Sequence, residues 1–220
     1  MNNIVFAEKL KGFIDINLNL SMIGTYLTMD LIKEVRIFAL GPEGTNIYEA
    51  AKLWAKERNI ENKCSFVLCT TPEEAVSEAK KVNDKNILPV FVLCAVYFKL
   101  YELYFFNTDC LFFMDHLYMK LDDMQLATLS YIEKNNYKVF THPSPAKLVD
   151  SINNVKLEYS DSNGYAARRC KEEEGSLCIT TEKARSIYEL EKIYDFGSPF
   201  MLFTFGTSYN GVKLLEKCAV

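Results

Sequence analysis

Histidine is nearly absent from this chain: His116 and His142 are the only two among 220 residues. Neither stands at a paired-ligand spacing such as H-E-x-x-H, so a histidine-built metal centre is excluded and no metal is expected. Cysteine is less scarce, but Cys64, Cys69, Cys94, Cys110, Cys170, Cys178 and Cys218 are odd in number and contain no C-x-x-C pair. That pattern fits neither a disulfide framework nor a thiolate metal site, and reduced thiols in a cytoplasmic protein are expected. Positive charge is in deficit, with 25 Lys and Arg against 29 Asp and Glu, a net charge of −4. A nucleic-acid binder built on a basic face is thereby excluded.

Long apolar runs are missing too. The strongest, Ile87 to Phe98, contains Pro89 and is followed by Lys99 and Glu102. It falls short of the ~20 residues needed to cross a bilayer, so it reads as a buried strand and no membrane partner is expected. Met1 to Lys11 carries charges and no apolar stretch ahead of a small-residue cleavage site, as a secreted protein would. Glycine- or serine-rich linkers, repeats and low-complexity segments are also lacking. With 49% hydrophobic residues there is ample material for a core, in one large domain or two small lobes.

What is present is a series of strand, turn and helix units. Val35 to Leu40 alternates as a strand, Gly41-Pro42-Glu43-Gly44-Thr45 turns, and Ile47, Ala50, Ala51 and Trp54 mark a helix face. Thr45 is placed to cap that helix, whose first amides have no intrahelical partner. Such a start seats an anion, but one exposed helix end contributes only ~0.3–1 kcal/mol, so a tight carboxylate site needs several. Cys64 to Cys69 then leads into Thr71-Pro72-Glu73-Glu74, a cap with proline at the first helical position. Strand, helix, strand, helix, strand predicts a parallel α/β sheet.

The region Tyr97 to Tyr118 is rich in aromatics without a clean period and reads either as core and crossover or as an aromatic ligand box. Residues 121–134 are ambiguous between helix and strand. A second α/β series follows: Tyr137 to Thr141, the turn His142-Pro143-Ser144-Pro145, a helix face at Ala146, Leu148, Val149 and Ile152, and the strand Val155 to Tyr159. Ser160 to Gly164 turns into a helix presenting Ala166, Ala167 and Cys170. Ser176 to Thr180 reads as a strand, Thr181 as the cap of the next helix, Pro199 to Phe205 as an apolar strand, and Asn210-Gly211 as a turn before a short tail. Residues 1–33, with apolar Phe13, Ile14, Ile16, Leu18 and Leu20, form an extension of undetermined structure. The expected division is residues 34–98 with 195–220 as one lobe and 99–194 as the other.

Gly41-Pro42-Glu43-Gly44-Thr45 with Glu49-Ala50-Ala51 resembles the opening signature of prephenate dehydratases. His142-Pro143 is similar to their S-H-P turn, Ser162-Asn163-Gly164-Tyr165-Ala166-Ala167 to their S-T-x-x-A-A helix start, and Ile179 to Leu190 to their A-I-A-S…A-x-x-Y-G-L element. The resemblance spans residues 34–206 in the family order and implies an α/β, two-lobed, periplasmic-binding-protein-like (type II) catalytic-domain fold. The family's T-R-F tripeptide, whose threonine is the acid for loss of the ring hydroxyl, is missing from Gly197 to Gly206. General-acid help is worth ~10²–10⁴ in rate, or ~3–5 kcal/mol of barrier. Thr141 to Pro145, Ala166-Ala167-Arg168-Arg169 and the apolar last strand resemble the prephenate decarboxylases of bacilysin- and anticapsin-type antibiotic biosynthesis more closely.

That resemblance implies a lyase needing no cofactor, acting on prephenate, with no regulatory ACT domain and with self-association as a homodimer left open. It implies His142, Thr45 and Glu43 as catalytic residues. Gly44, Thr45, Ser144, Ser162, Asn163, Gly164, Arg169, Thr180, Thr181 and Phe203 would bind substrate. Structural roles stand beside these: His142 as a turn bond, Arg168 and Arg169 as partners of Glu172 and Glu173, Phe203 and Phe200 as core. The apolar Leu93 to Tyr97, where the family places polar groups, is also consistent with a ligand-binding homologue without turnover. A dehydratase with its acid moved, for example to Thr204, is the third reading.

Overall fold

The computed structural model describes residues 18–108 and 110–219; Phe13, Ile14 and Ile16 of the expected extension lie outside them. By contact the chain forms two units, the first built from the residues up to Met119 and from Met201 onward, the second from Lys120–Phe200.

In the first unit α1 (Ile23–Thr28) precedes β1 (Glu34–Leu40), α2 (Asn46–Glu57), β2 (Cys64–Cys69), α3 (Pro72–Lys81), β3 (Ile87–Cys94), α4 (Leu100–Phe105) and β4 (Phe112–Lys120). The chain returns through β10 (Phe200–Thr207) and α7 (Tyr209–Cys218). The five-stranded sheet has the order β2-β1-β3-β10-β4. β1 is parallel to β2 and β3, whereas β10 runs antiparallel to β3. Two strand–helix–strand crossovers account for the parallel part, as the sequence pattern predicts.

The second unit holds β5 (Met124–Thr128), β6 (Tyr137–Thr141), β7 (Val155–Tyr159), α5 (Asn163–Glu172), β8 (Leu177–Thr181), α6 (Glu182–Ile187) and β9 (Glu191–Gly197), with a 3-10 turn over Ala146–Ser151. Its sheet runs β7-β6-β8-β5-β9. β6 is parallel to β7 and β8, and β5 is antiparallel to β8 and β9. Successive residues alternate between its faces: Phe140, Ala127 and Cys178 pack on Ala166, Ala167 and Cys170 of α5, while Val139, Leu126 and Ile179 pack with Val149.

Three elements differ from the expected layout. α4 and β4 belong to the first unit, since β4 completes its sheet beyond β10, so the crossover lies near residue 120 rather than residue 98. Residues 146–151 form a 3-10 turn where a regular helix face was expected. Asn210-Gly211 is no turn: it lies inside α7, which buries Val212, Leu214, Leu215 and Cys218. Gly206, opposite Phe91 in the β3–β10 ladder, is required for packing, because a Cβ there would overlap the Phe91 ring.

The first unit is tied together by Asp115 of β4. Its Oδ2 accepts from Trp54 Nε1 at 2.8 Å and from Arg58 Nε at 2.8 Å, and its Oδ1 accepts from Arg58 Nη2 at 2.9 Å. The Trp54 ring stacks on Phe205 of β10, centroids 4.5 Å apart. Burial raises the Asp115 pKa, but the bonds from Arg58, Trp54 and the His116 amide outweigh it and hold the carboxyl below the usual range. Removing one partner of such a pair leaves an uncompensated charge. Asp115→Ala is expected to lower stability by ~3 kcal/mol, and Trp54→Phe, which keeps the stack and loses one bond, by ~1 kcal/mol in urea melts. Equal, small effects from both would contradict a bridging role.

Candidate functional site

In open parallel sheets ligands bind beyond the carboxyl ends of the strands, where the following helices begin. Here those starts belong to α2 and α3 in the first unit and to α5 and α6 in the second. All are capped by a hydroxyl: Thr45, Thr71, Ser162 and Thr181 accept from the amides of Tyr48, Glu74, Tyr165 and Ala184 at 3.3, 3.1, 3.0 and 3.2 Å. They differ in what becomes of the remaining amides.

α6 is closed by the chain itself, and α3 in part, the Glu73 amide finding no acceptor among the described residues. In α3 the first position is Pro72, which has no N–H, and the Glu74 carboxylate folds back to accept from Thr70 N and Thr70 Oγ1 at 2.7 and 2.6 Å. In α6 the Glu182 amide donates to Asp123 O and the Lys183 amide to Asp122 Oδ2, both at 2.8 Å. Thr180, fully buried, donates to Asn163 O at 2.8 Å. Thr180 and Thr181, expected to bind substrate, are therefore occupied with joining β8, α5 and α6.

α2 and α5 are open. The amides of Asn46 and Ile47, and of Asn163 and Gly164, find no acceptor among the described residues. Thr45 Oγ1 also donates to Leu40 O at 2.8 Å, which fixes its lone pairs toward the α2 start. Gly44 adopts φ +84°, a conformation that requires glycine, and turns the chain into that cap. Glu43 is exposed beside it. At α5, two polar atoms are buried without a partner among the described residues, Asn163 Oδ1 and Ser160 Oγ, the latter on a residue 4% exposed. Such atoms cost ~1–3 kcal/mol each when left unpaired, so a water or another polar group is needed to satisfy them. Ser160 was not singled out by sequence; its place directly beyond the end of β7 is the signal that could have found it.

His142 follows β6 and is partly buried. Its Nδ1 accepts from Ser144 N at 3.2 Å, so the neutral ring carries its proton on Nε2. Burial lowers its pKa from 6.5, opposed by the charge of Asp161, so the imidazole is neutral at pH 7. It can donate a hydrogen bond from Nε2 to a carboxylate or a water, but it is not held as an imidazolium. Ser144 contributes its amide to this turn rather than a hydroxyl contact.

Arg169 and Phe203 are placed elsewhere. Arg169 Nη2 donates to Glu158 Oε2 at 2.7 Å, Nη1 to Tyr159 O at 3.2 Å, and its guanidinium lies 4.1 Å from the centre of the Phe140 ring. Arg168 pairs with Glu172 at 3.4 Å along α5. Phe203 is buried within β10, in the core of the first unit. Among the described residues no group of three His, Cys, Asp or Glu is close enough to hold a metal. Burial pushes the Cys64 thiol up to about 12 and that of Cys69 to about 11, so neither is a nucleophile at neutral pH. No described helix is long and apolar enough to cross a membrane.

Comparison with known proteins places the fold. No protein-family model matches the sequence, and no curated protein matches it. Among solved structures, it is similar to the prephenate dehydratase of Staphylococcus aureus subsp. aureus Mu50, with TM-score 0.50 and 14% identity over 78% of this chain and 66% of that one. The prephenate dehydratase of Arthrobacter aurescens, solved in complex with L-Phe, gives TM-score 0.51 and 12% identity over 79% of this chain and 59% of that one. A double mutant of the BvgS VFT2 domain of Bordetella pertussis gives TM-score 0.51 and 13% identity, covering 88% and 89%. The mixed α/β fold with two five-stranded sheets is thus shared by dehydratases and Venus-flytrap sensor domains, and the chain spans about two thirds or less of the dehydratase structures.

The His142 geometry fixes a pH response. A histidine held below its ordinary pKa leaves stability unchanged above about 6.5 and costs stability as pH falls below it, because the unfolded chain takes up the proton first. His142→Gln is expected to flatten the decline of melting temperature between about pH 6.5 and 5. Parallel profiles for the two proteins would contradict the assignment.

Proposed function

We propose that this protein is a cofactor-independent, non-aromatising prephenate decarboxylase that supplies a dihydro-4-hydroxyphenylpyruvate for antibiotic-type secondary metabolism. The observation that carries the reading is the pair of hydroxyl-capped helix starts, α2 and α5, each with two first-turn amides free of an acceptor among the described residues, set against α6, which the chain closes with its own groups, and α3, where proline leaves one. Prephenate is a dicarboxylate, and each open start has the donors to take a carboxylate. Dehydratase-like sequence signatures at Gly41 to Thr45 and at Ser162 to Ala167 fall on these two starts.

In this reaction the bond from the ring to its carboxylate breaks, carbon dioxide leaves, and the electron pair passes into the ring diene, where a proton adds at carbon. The ring hydroxyl is kept. Expelling it would need an acid, and β10 offers none at the position of the missing T-R-F. Thr204 Oγ1 donates to Leu93 O at 3.3 Å, which speaks against a dehydratase with its acid moved there. The neutral His142, with its proton on Nε2, fits a role in positioning a water or the departing carboxylate better than one as the proton source.

A second reading, a ligand-binding homologue without turnover, is favoured by the end of β3, where Leu93 is buried and Ala95 and Val96 supply no acid or base. Incubating the protein with prephenate, with carbon dioxide, phenylpyruvate and non-aromatic products scored separately by NMR, separates the readings. Non-aromatic product above the uncatalysed background is expected. Phenylpyruvate would indicate a dehydratase, and thermal stabilisation without turnover a binding protein. Thr45→Ala and Ser162→Ala are each expected to weaken prephenate binding ~3–30-fold, equivalent to ~0.7–2 kcal/mol. Unchanged affinity in both would remove these helix starts from prephenate binding.

A further inference from the structure

α5 begins with an Asn-Gly pair, Asn163-Gly164, and α7 holds the only other one in the sequence, Asn210-Gly211. In such a pair the glycine nitrogen can attack the asparagine carboxamide, since no Cβ hinders the approach and the two groups are already joined by the chain. The covalent chemistry of the two pairs is the same. Their surroundings decide which of them reacts.

The pair in α7 is held. Asn210 Nδ2 donates to Val82 O at 3.2 Å, which fixes the carboxamide. Gly211 is buried so closely on Thr207 that a Cβ there would overlap Thr207 Oγ1, and a cyclic imide has no room. The pair at the start of α5 is loose. The Asn163 side chain makes no hydrogen bond to the described residues, its Oδ1 being unpartnered, and the nearest atom to a Cβ built on Gly164 is Ser162 Oγ at 3.9 Å. Gly164 N finds no acceptor among the described residues. The attacking form of that nitrogen is its anion, which the positive end of α5 favours. Closure has to turn the Asn163 carbonyl away from Thr180 Oγ1, which donates to it at 2.8 Å, so the reaction is slow ageing rather than turnover.

We propose that Asn163 is a self-modification site at which the protein converts its own open helix start into a closed one. The deprotonated Gly164 nitrogen bonds to Asn163 Cγ, the Cγ–Nδ2 bond breaks, and ammonia leaves with the proton. Water then opens the cyclic imide, leaving an aspartate or isoaspartate at this position. At α6 a carboxylate already closes a helix start in this way, Asp122 Oδ2 accepting from the Lys183 amide at 2.8 Å. A carboxylate at position 163 takes the free amides of α5 from within and repels an incoming anion. This consequence, unlike the conversion itself, rests on the reading of the α5 start as a carboxylate seat.

The test incubates the full chain at about pH 8.5 and 37 °C and follows the gain of one mass unit in tryptic peptides. Asn163 and Asn210 fall in separate peptides, ending at Arg168 and Lys213. In the folded protein Asn163 is expected to convert at least ~10-fold faster than Asn210, and in concentrated guanidinium chloride the two rates are expected to come within ~3-fold of each other. Gly164→Ala, for which there is room, is expected to slow conversion of Asn163 at least ~10-fold. Equal rates in the folded protein, a faster Asn210, or a ratio that unfolding leaves unchanged would each overturn the inference. None of these readouts uses prephenate, so they decide the conversion whether or not the lyase reading holds. Fully converted protein is expected to bind prephenate at least ~5-fold more weakly than fresh protein; equal affinity would overturn the closing of α5.

Discussion

The backbone amides at a helix start cannot bond within the helix, and where each of them finds an acceptor governs both units of this protein. Parallel strands deliver four such starts in the same structural setting, directly beyond a strand end and under a hydroxyl cap. The chain disposes of them in opposite ways. Pro72 leaves α3 a single unbonded amide, that of Glu73, beside the Glu74 carboxylate, and Asp122 and the Asp123 carbonyl close α6. Among the described residues nothing comparable reaches the first two amides of α2 or α5, whose first turns are otherwise supplied only with a cap. Helix-end electrostatics are modest one at a time, so the selectivity lies in which starts are left open rather than in any special strength of one.

An open start is useful only if its helix does not move. In the first unit α2 is held by the Asp115 carboxylate, gripped by Trp54 and Arg58 from one helix, and by the stack of Trp54 on Phe205. In the second, α5 is held by the buried face Ala166, Ala167 and Cys170, and by Arg169, which spans from Glu158 to the face of Phe140. These are partly desolvated, multiply bonded contacts. The i,i+3 pairs Lys52 with Glu49 and Lys213 with Glu216 are solvent-screened and contribute little beside them. Arg169 thus fastens α5 to β6 and β7.

The turns and caps were legible because they depend on neighbours in sequence. Thr45, Thr71 with Pro72, Ser162 and Thr181 each announce a helix a few residues ahead, and each caps as its position predicts. What was not legible depends on distant residues. The closing of α6 needs Asp122, 61 positions before Lys183, and without it Thr180 and Thr181 look as open as Ser162. Arg169 chooses Glu158 over Glu173 because its guanidinium lies over Phe140 of β6, whose partner in the ladder is Glu158 of β7, which helical spacing along α5 cannot show. α7 was hidden by Asn210-Gly211, a strong local turn signal overridden by burial of Val212, Leu214, Leu215 and Cys218 against the sheet. The crossover was misplaced because the aromatic stretch has two apolar faces, and only the inner one reports on the core.

The most direct measurement is an amide-resolved NMR titration of the ¹⁵N-labelled protein with prephenate. The account predicts the largest shifts at Asn46, Ile47, Asn163 and Gly164, with the Glu74 and Lys183 amides unmoved. Shifts centred on α3 or α6, or prephenate binding that leaves the α2 and α5 starts unchanged, would contradict it.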